Sequence, residues 1–119
     1  MKERELHGYT ADLLRLMARP GVLWLHIANE GARSPRTGAY LKRMGMRPGA
    51  ADFLIVRYGH AYFLELKTGK GRLSLAQLEF QKDTVAAGSP YSVCRSPEDV
   101  RDTLEGWAAI SYGAERWHE

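Results

Sequence analysis

The sequence predicts an α/β protein built as a mixed sheet flanked by helices. Two kinds of segment alternate along it. Stretches with apolar residues at a 3.6-residue period and recognisable caps read as helices, and short runs rich in β-branched and aromatic residues (VLWLHIAN, DFLIVRY, AYFLELK, YSVC) read as strands. Their order is helix, strand, loop, strand, strand, helix, strand, helix, which fits neither a helix bundle nor an all-β sandwich. With 119 residues, 45% apolar content, three Trp, six Tyr and three Phe, the chain can bury one core. One domain is expected over residues 1–112, with 113–119 as a tail carrying no clear element and little expected order.

The first helix is predicted over residues 3–19, where Leu6, Leu13, Leu14 and Met17 share a side and Pro20-Gly21 ends the run. A strand follows over 22–28. Residues 30–50 hold four Gly, two Pro and five basic residues and read mainly as loop, with a short helical turn around GAYLKRM.

The next two strand-like runs are separated by Gly59-His60, a pair that suits a two-residue hairpin turn. With Tyr58 opposite Ala61, Asp52 falls opposite Lys67 and Leu54 opposite Glu65, while Phe53, Ile55, Leu64 and Leu66 point to the other face. Asp52, Glu65 and Lys67 then share one face at one end of the hairpin. A one-residue slip would send Asp52 to the opposite side.

Ser74 opens the next helix as N-cap, with Gln77 as its capping-box partner, Leu75, Leu78 and Val85 as apolar positions, and Gly88 at the C-terminal cap. A strand over YSVCR precedes a last helix that starts with Ser96, Pro97 and acids in its first turn. The single cysteine, Cys94, has no internal disulfide partner and apolar neighbours, so it is expected in the core of an intracellular, cytoplasmic protein. No run approaches the roughly 20 apolar residues of a membrane helix, and MKERELHGYT lacks the apolar stretch of a signal peptide, so no membrane partner is expected.

Charge is unevenly spread. Residues 31–73 hold nine Lys or Arg against two acids, Asp52 and Glu65, whereas the rest holds eight basic residues against twelve acids. A basic segment of this kind suits a polyanion, and Arg33, Arg36, Lys42, Arg43, Arg47, Lys70 and Arg72 are the candidates to grip a DNA backbone without reading bases.

Two carboxylates about 5–8 Å apart across a hairpin repel each other and both stay ionised only beside positive charge. Oxygen ligands without a neighbouring His or Cys cluster favour Mg²⁺ or Mn²⁺ over Zn²⁺, with positions left for water and phosphate. Lys67 could orient the attacking water or stabilise charge on a phosphorane-like transition state. The chemistry this suggests is metal-assisted phosphodiester hydrolysis. A plainer reading of the same residues is a cross-strand Asp52–Lys67 ion pair with Glu65 turned to solvent.

Asp52 followed by Glu65-Leu66-Lys67 resembles the PD-(D/E)xK nuclease motif. The fuller set HIANEGARS, MGMRPGAADFLIV and LELKTGKGRLSLAQ resembles the VRR-NUC (virus-type replication-repair nuclease) family, especially its short stand-alone phage and bacterial members, over about residues 3–105. One departure is Ala51, where the family's motif usually has Pro; proline stiffens that approach but ligates nothing. The resemblance implies a restriction-endonuclease-like core similar to Holliday-junction resolvases, Mg²⁺ or Mn²⁺ dependence, and branched DNA of the kind met in repair as substrate. It also implies a first-helix glutamate completing the metal set of Asp52 and Glu65, with Glu3 the first choice and Glu5 the second.

Gln77 matches the family's glutamine near the active site, a role that can coexist with capping. Asn29 and Glu30 read more simply as a turn, and His7, His26 and His60 show no metal-ligand spacing. The resolvase pattern further implies a C₂ homodimer, for which Tyr40, Leu41, Met44 and Met46 and the C-terminal Trp107, Ile110, Tyr112 and Trp117 are candidate interface residues. The competing functions are a catalytically inactive DNA-binding module of the same fold, which the intact Asp52-Glu65-Lys67 set argues against, and a protein-interaction domain, which the basic segment argues against.

Overall fold

Alternation along the central hairpin decides the architecture. The computed structural model describes residues 1–28 and 34–111. Its elements are α1 (Glu3–Met17), β1 (Leu23–His26), α2 (Pro35–Arg43), β2 (Phe53–Arg57), β3 (His60–Leu66), α3 (Leu75–Ala86), β4 (Tyr91–Cys94) and α4 (Pro97–Gly106). The four strands lie in the order β1-β2-β3-β4, antiparallel except for the parallel β3–β4 pair. This is the expected mixed sheet.

One face of the sheet presents Phe53, Ile55, Leu64, Leu66 and Cys94, which pack with Leu6 and Leu14 of α1 and Val100 and Leu104 of α4 into the main core. Cys94 is fully buried there, as expected, and its thiol is pushed up by burial. The opposite face carries Phe63, Glu65 and Tyr91, and α3 lies over it through Phe80, whose ring centroid is 5.3 Å from that of Phe63 and 6.2 Å from that of Tyr91. Among the described residues no helix is long and apolar enough to cross a membrane.

The hairpin register differs from the expected one. Arg57 pairs with His60 and Phe53 with Leu64, so the turn is Tyr58-Gly59 and each strand has moved two residues along its partner. Both turn residues have positive φ, 50° at Tyr58 and 78° at Gly59, the backbone that a two-residue hairpin needs to match strand twist. A shift of two keeps every side chain on its face. It also brings Asp52 in line with Glu65 instead of Lys67, and Asp52 and Lys67 form no ion pair.

Other departures have local causes. The expected short turn in 30–50 is the nine-residue α2, because Ser34 caps it by accepting from the Thr37 amide and Pro35 takes the first helical position. In α3, Leu75, Leu78 and Val85 are 86%, 47% and 62% exposed, since the helix is turned to bury Thr84 and lay Phe80 on the sheet. Ile110 is buried rather than available for a dimer, because Ala18 bridges to it and the Arg19 amide donates to the Ala109 carbonyl. Trp107 stacks on Tyr62 at 5.1 Å. Leu41 and Met46 are half-buried, while Tyr40 and Met44 are exposed. Arg33, Asn29, Glu30, Tyr112, Trp117 and the 113–119 tail lie outside the described residues.

Candidate active site

Asp52 stands just before β2 and is held from two sides. Its Oδ2 accepts the Leu66 amide hydrogen at 2.7 Å, and its carbonyl accepts from the Ile27 amide at 2.8 Å and from His26 Nδ1 at 3.0 Å. The carboxylate is thereby tied to the residue that separates Glu65 from Lys67.

Glu65 is only 3% exposed, an unusual position for a carboxylate. Its Oε2 accepts from Gln77 Nε2 at 3.3 Å, while Oε1 is buried with no donor reaching it. Burial first, then the hydrogen bond and charge of neighbouring Asp52, push the Glu65 carboxyl up to about 9; Glu3 adds to this and Lys67 opposes it.

Gln77 reaches Glu65 because α3 starts where it does. The Ser74 amide donates to Gln77 Oε1 at 2.8 Å and the Gln77 amide donates to Ser74 Oγ at 3.2 Å, a full capping box that leaves the side-chain NH₂ for Glu65. Gln77 thus caps α3 and contacts Glu65 at the same time. A cleft of about 240 Å³ is lined by Glu3, Ile27, Gly49, Ala50, Asp52, Glu65, Ser74 and Gln77. Glu5 is absent from that lining, and its Oε1 instead accepts from the Lys2 amide at 3.0 Å, capping α1.

The donors fit a hard divalent ion. Asp52, Glu65 and Glu3 offer carboxylate oxygen only, and Glu65 Oε1 is buried without a donor. Among the described residues no three His, Cys, Asp or Glu side chains close into a ready cage. An open, partial set of this kind suits Mg²⁺ or Mn²⁺, which keep several waters and share their shell with substrate phosphate.

The basic residues divide. Arg36, Lys42 and Arg43 are carried on α2, where Arg36 and Arg43 are exposed, and Lys70 and Arg72 are exposed on the loop after β3. Arg47 is engaged: it pairs with Asp83 and lies 5.5 Å over the Phe80 ring, tying the approach to Asp52 onto α3.

Sequence reading missed the placement of four residues. The Tyr91 hydroxyl is buried without a partner and pushed up by burial and by the charges of Glu65 and Asp52; only the parallel register of β4 places it on this face. The Arg95 guanidinium donates to the Gly69 and Gly71 carbonyls at 3.3 and 2.7 Å, shaping the Lys70–Arg72 loop. His7 and His26, far apart in sequence, meet edge to face at 4.4 Å beside Asp52. None of these carries a local sequence signal.

No family model matches the chain, and no curated protein matches it. Solved structures do. One described as "VRR_NUC domain" is 21% identical, with a TM-score of 0.60, over 88% of this chain and 96% of that one. Another, "VRR_NUC domain protein", is 20% identical, with a TM-score of 0.63, over 93% of this chain and 91% of that one. The chain therefore has the fold of these domains, the restriction-endonuclease-like α/β fold expected from its sequence.

Proposed function

We propose that this chain is a VRR-NUC-type PD-(D/E)xK nuclease, a Mg²⁺- or Mn²⁺-dependent endonuclease that hydrolyses phosphodiester bonds in branched DNA. The observation that carries the reading is the buried Glu65 carboxyl, set beside Asp52 with one oxygen unpartnered, in a cleft shared with Glu3 and Gln77. As a purely structural residue it would be costly.

Asp52, Glu65 and Glu3 would hold the ion. When bound, it neutralises the carboxylates, polarises the phosphodiester and lowers the pKa of water. The chain's own residues supply the positioning. The Leu66 amide aims the Asp52 carboxylate and Gln77 holds Glu65. Lys67, whose charge already acts on Glu65, orients the attacking water and stabilises charge building on the phosphoryl oxygens. Arg36, Lys42, Arg43, Lys70 and Arg72, with Arg33 and Arg47, grip the DNA backbone and give salt-sensitive affinity with little base reading.

Holliday-junction-like substrates call for paired cuts, which a C₂ homodimer makes with two identical sites. The exposed apolar residues Tyr40, Met44, Leu75, Leu78 and Val85 supply surface for such a dimer. An intracellular, cytoplasmic setting and a repair role go with that substrate.

The test is a panel of labelled four-way junction, flap, nicked and duplex DNA incubated with Mg²⁺, Mn²⁺ or EDTA. Cleavage is expected with either metal and not with EDTA, and Asp52→Ala, Glu65→Ala and Lys67→Ala should bind DNA yet fail to cut. Binding without cutting under every metal would make the chain an inactive DNA-binding module. Light scattering at micromolar concentration decides the dimer.

A further inference from the structure

A second cleft, of about 540 Å³, is lined by Glu3, Arg4, His7, Gly8 and Asp52. It shares Glu3 and Asp52 with the cleft that holds Glu65 and Gln77. Resting on the nuclease reading, we infer that this cleft receives the base of an unpaired nucleotide adjoining the scissile phosphate, so that the enzyme cuts where the strand leaves the duplex stack.

Position supports this first. A phosphate at the carboxylates continues into a sugar and base on either side, and the α1 cleft is the larger of the two concave spaces described beside them. Its volume, about 540 Å³, lies within the roughly 300–1,000 Å³ range of small-molecule sites and is enough for one nucleotide. The wall is chemically suited: an imidazole ring for a base to stack on, and the Arg4 cation, which has no ion-pair partner among the described residues, for its phosphate.

The wall is also pre-set. The His7 ring sits 4.4 Å from His26 and 4.8 Å from Phe53, centroid to centroid, and His26 Nδ1 donates to the Asp52 carbonyl. The stacking surface and the metal-side carboxylate are thus held by one connected group of side chains.

Gly8 gives a way to fill the cleft. It lies inside α1, with no positive φ to explain it, in a position where glycine weakens a helix. A Cβ there would meet nothing within 4 Å. Neither backbone geometry nor packing calls for glycine there, and because Gly8 lines the cleft a larger side chain at position 8 would take up part of its space.

The experiment uses the full chain with Mn²⁺ and two DNAs that differ only in whether the nucleotide next to the mapped cut is paired. Wild type should favour the unpaired substrate by about tenfold in kcat/KM, the scale of one stacked base. Gly8→Leu, which keeps a strong helix former, should lose that preference through KM with no fall in melting temperature. An abasic site at the same nucleotide, which needs no protein variant, should cost wild type the same factor. In Ca²⁺, 2-aminopurine at that position should be quenched by wild type and not by His7→Ala. Gly8→Leu cutting both DNAs like wild type, or an abasic site without effect, overturns the cleft while leaving the nuclease reading intact. Wild type that cuts no DNA with either metal overturns the nuclease reading and the cleft with it.

Discussion

Gly49 stands directly against Gln77. A Cβ at position 49 would lie 2.6 Å from the Gln77 amide nitrogen and 2.4 Å from the carbonyl carbon and oxygen of Ala76, and Gly49 itself has φ of +77°. The approach to Asp52 and the first turn of α3 are therefore in backbone contact, and this contact sets Gln77 over Glu65.

Gly49→Ala should push the first turn of α3 away, costing about 1–3 kcal/mol of stability and most of the cleavage activity. Gly88, with φ of +85° but nothing within 4 Å of a Cβ, is the control. Gly88→Ala should cost about 1–2 kcal/mol for the left-handed backbone and leave cleavage at its wild-type level. Melting curves and cleavage rates of the two variants, side by side, check this.

The raised Glu65 carboxyl should give the protein in EDTA an unusual pH dependence. Its folded-state value, about 9, lies above the ordinary 4.5, so between those two pH values the folded state keeps a proton that the unfolded state has released. The stabilisation is fully present below pH 4.5 and is lost as pH rises through about 9. Melting temperature in EDTA should fall from pH 5 to pH 9, and Glu65→Gln should flatten that slope and be the more stable protein at pH 9. Equal slopes for the two proteins would remove Glu65 as the cause.

If Glu65 is a metal ligand as proposed, binding displaces that proton, so Mn²⁺ affinity should rise up to about tenfold per pH unit below pH 9 and release close to one proton at pH 7. Calorimetry in buffers of different ionisation enthalpy measures the release. Glu3→Gln should weaken Mn²⁺ affinity and cleavage together. Glu5→Gln should cost at most about 1 kcal/mol, through the cap on the Lys2 amide, and leave metal affinity unchanged. The reverse pattern would move the helix ligand to Glu5.

Removing the charges at Arg36, Lys42 and Arg43 should weaken binding to every DNA structure alike and reduce the slope of log K against log salt by about 0.9 for each phosphate that is no longer neutralised. Arg47→Ala should behave differently. It breaks the Asp83 pair and uncovers Phe80, so it should lower the melting temperature as well as affinity. Fluorescence anisotropy across a salt series, with melting curves, separates the two behaviours.

Much of this was legible along the chain because the signals involved are local. Ser74 with Gln77 and Ser96 with Pro97 mark helix starts through contacts within one turn, and both helices begin there. The period-two alternation puts Asp52, Glu65 and Lys67 on one face, and this survives the register change because a shift of two residues preserves the face. What tertiary structure alone decided is which of these residues meet. Pairing Asp52 with Glu65 depended on Tyr58 taking a positive φ, which its side chain does not advertise. The exposure of Leu75, Leu78 and Val85 depended on which side of α3 the sheet accepted, and hydropathy alone points the other way. Glu3 rather than Glu5 faces the carboxylates because residues two apart on a helix point to nearly opposite sides, so the docking angle of α1 makes the choice. Local hydrogen bonds and periodicity act within a few residues and can be read in order, whereas the pressing of Gly49 on Gln77 and of His7 on His26 exists only once separate elements share one core.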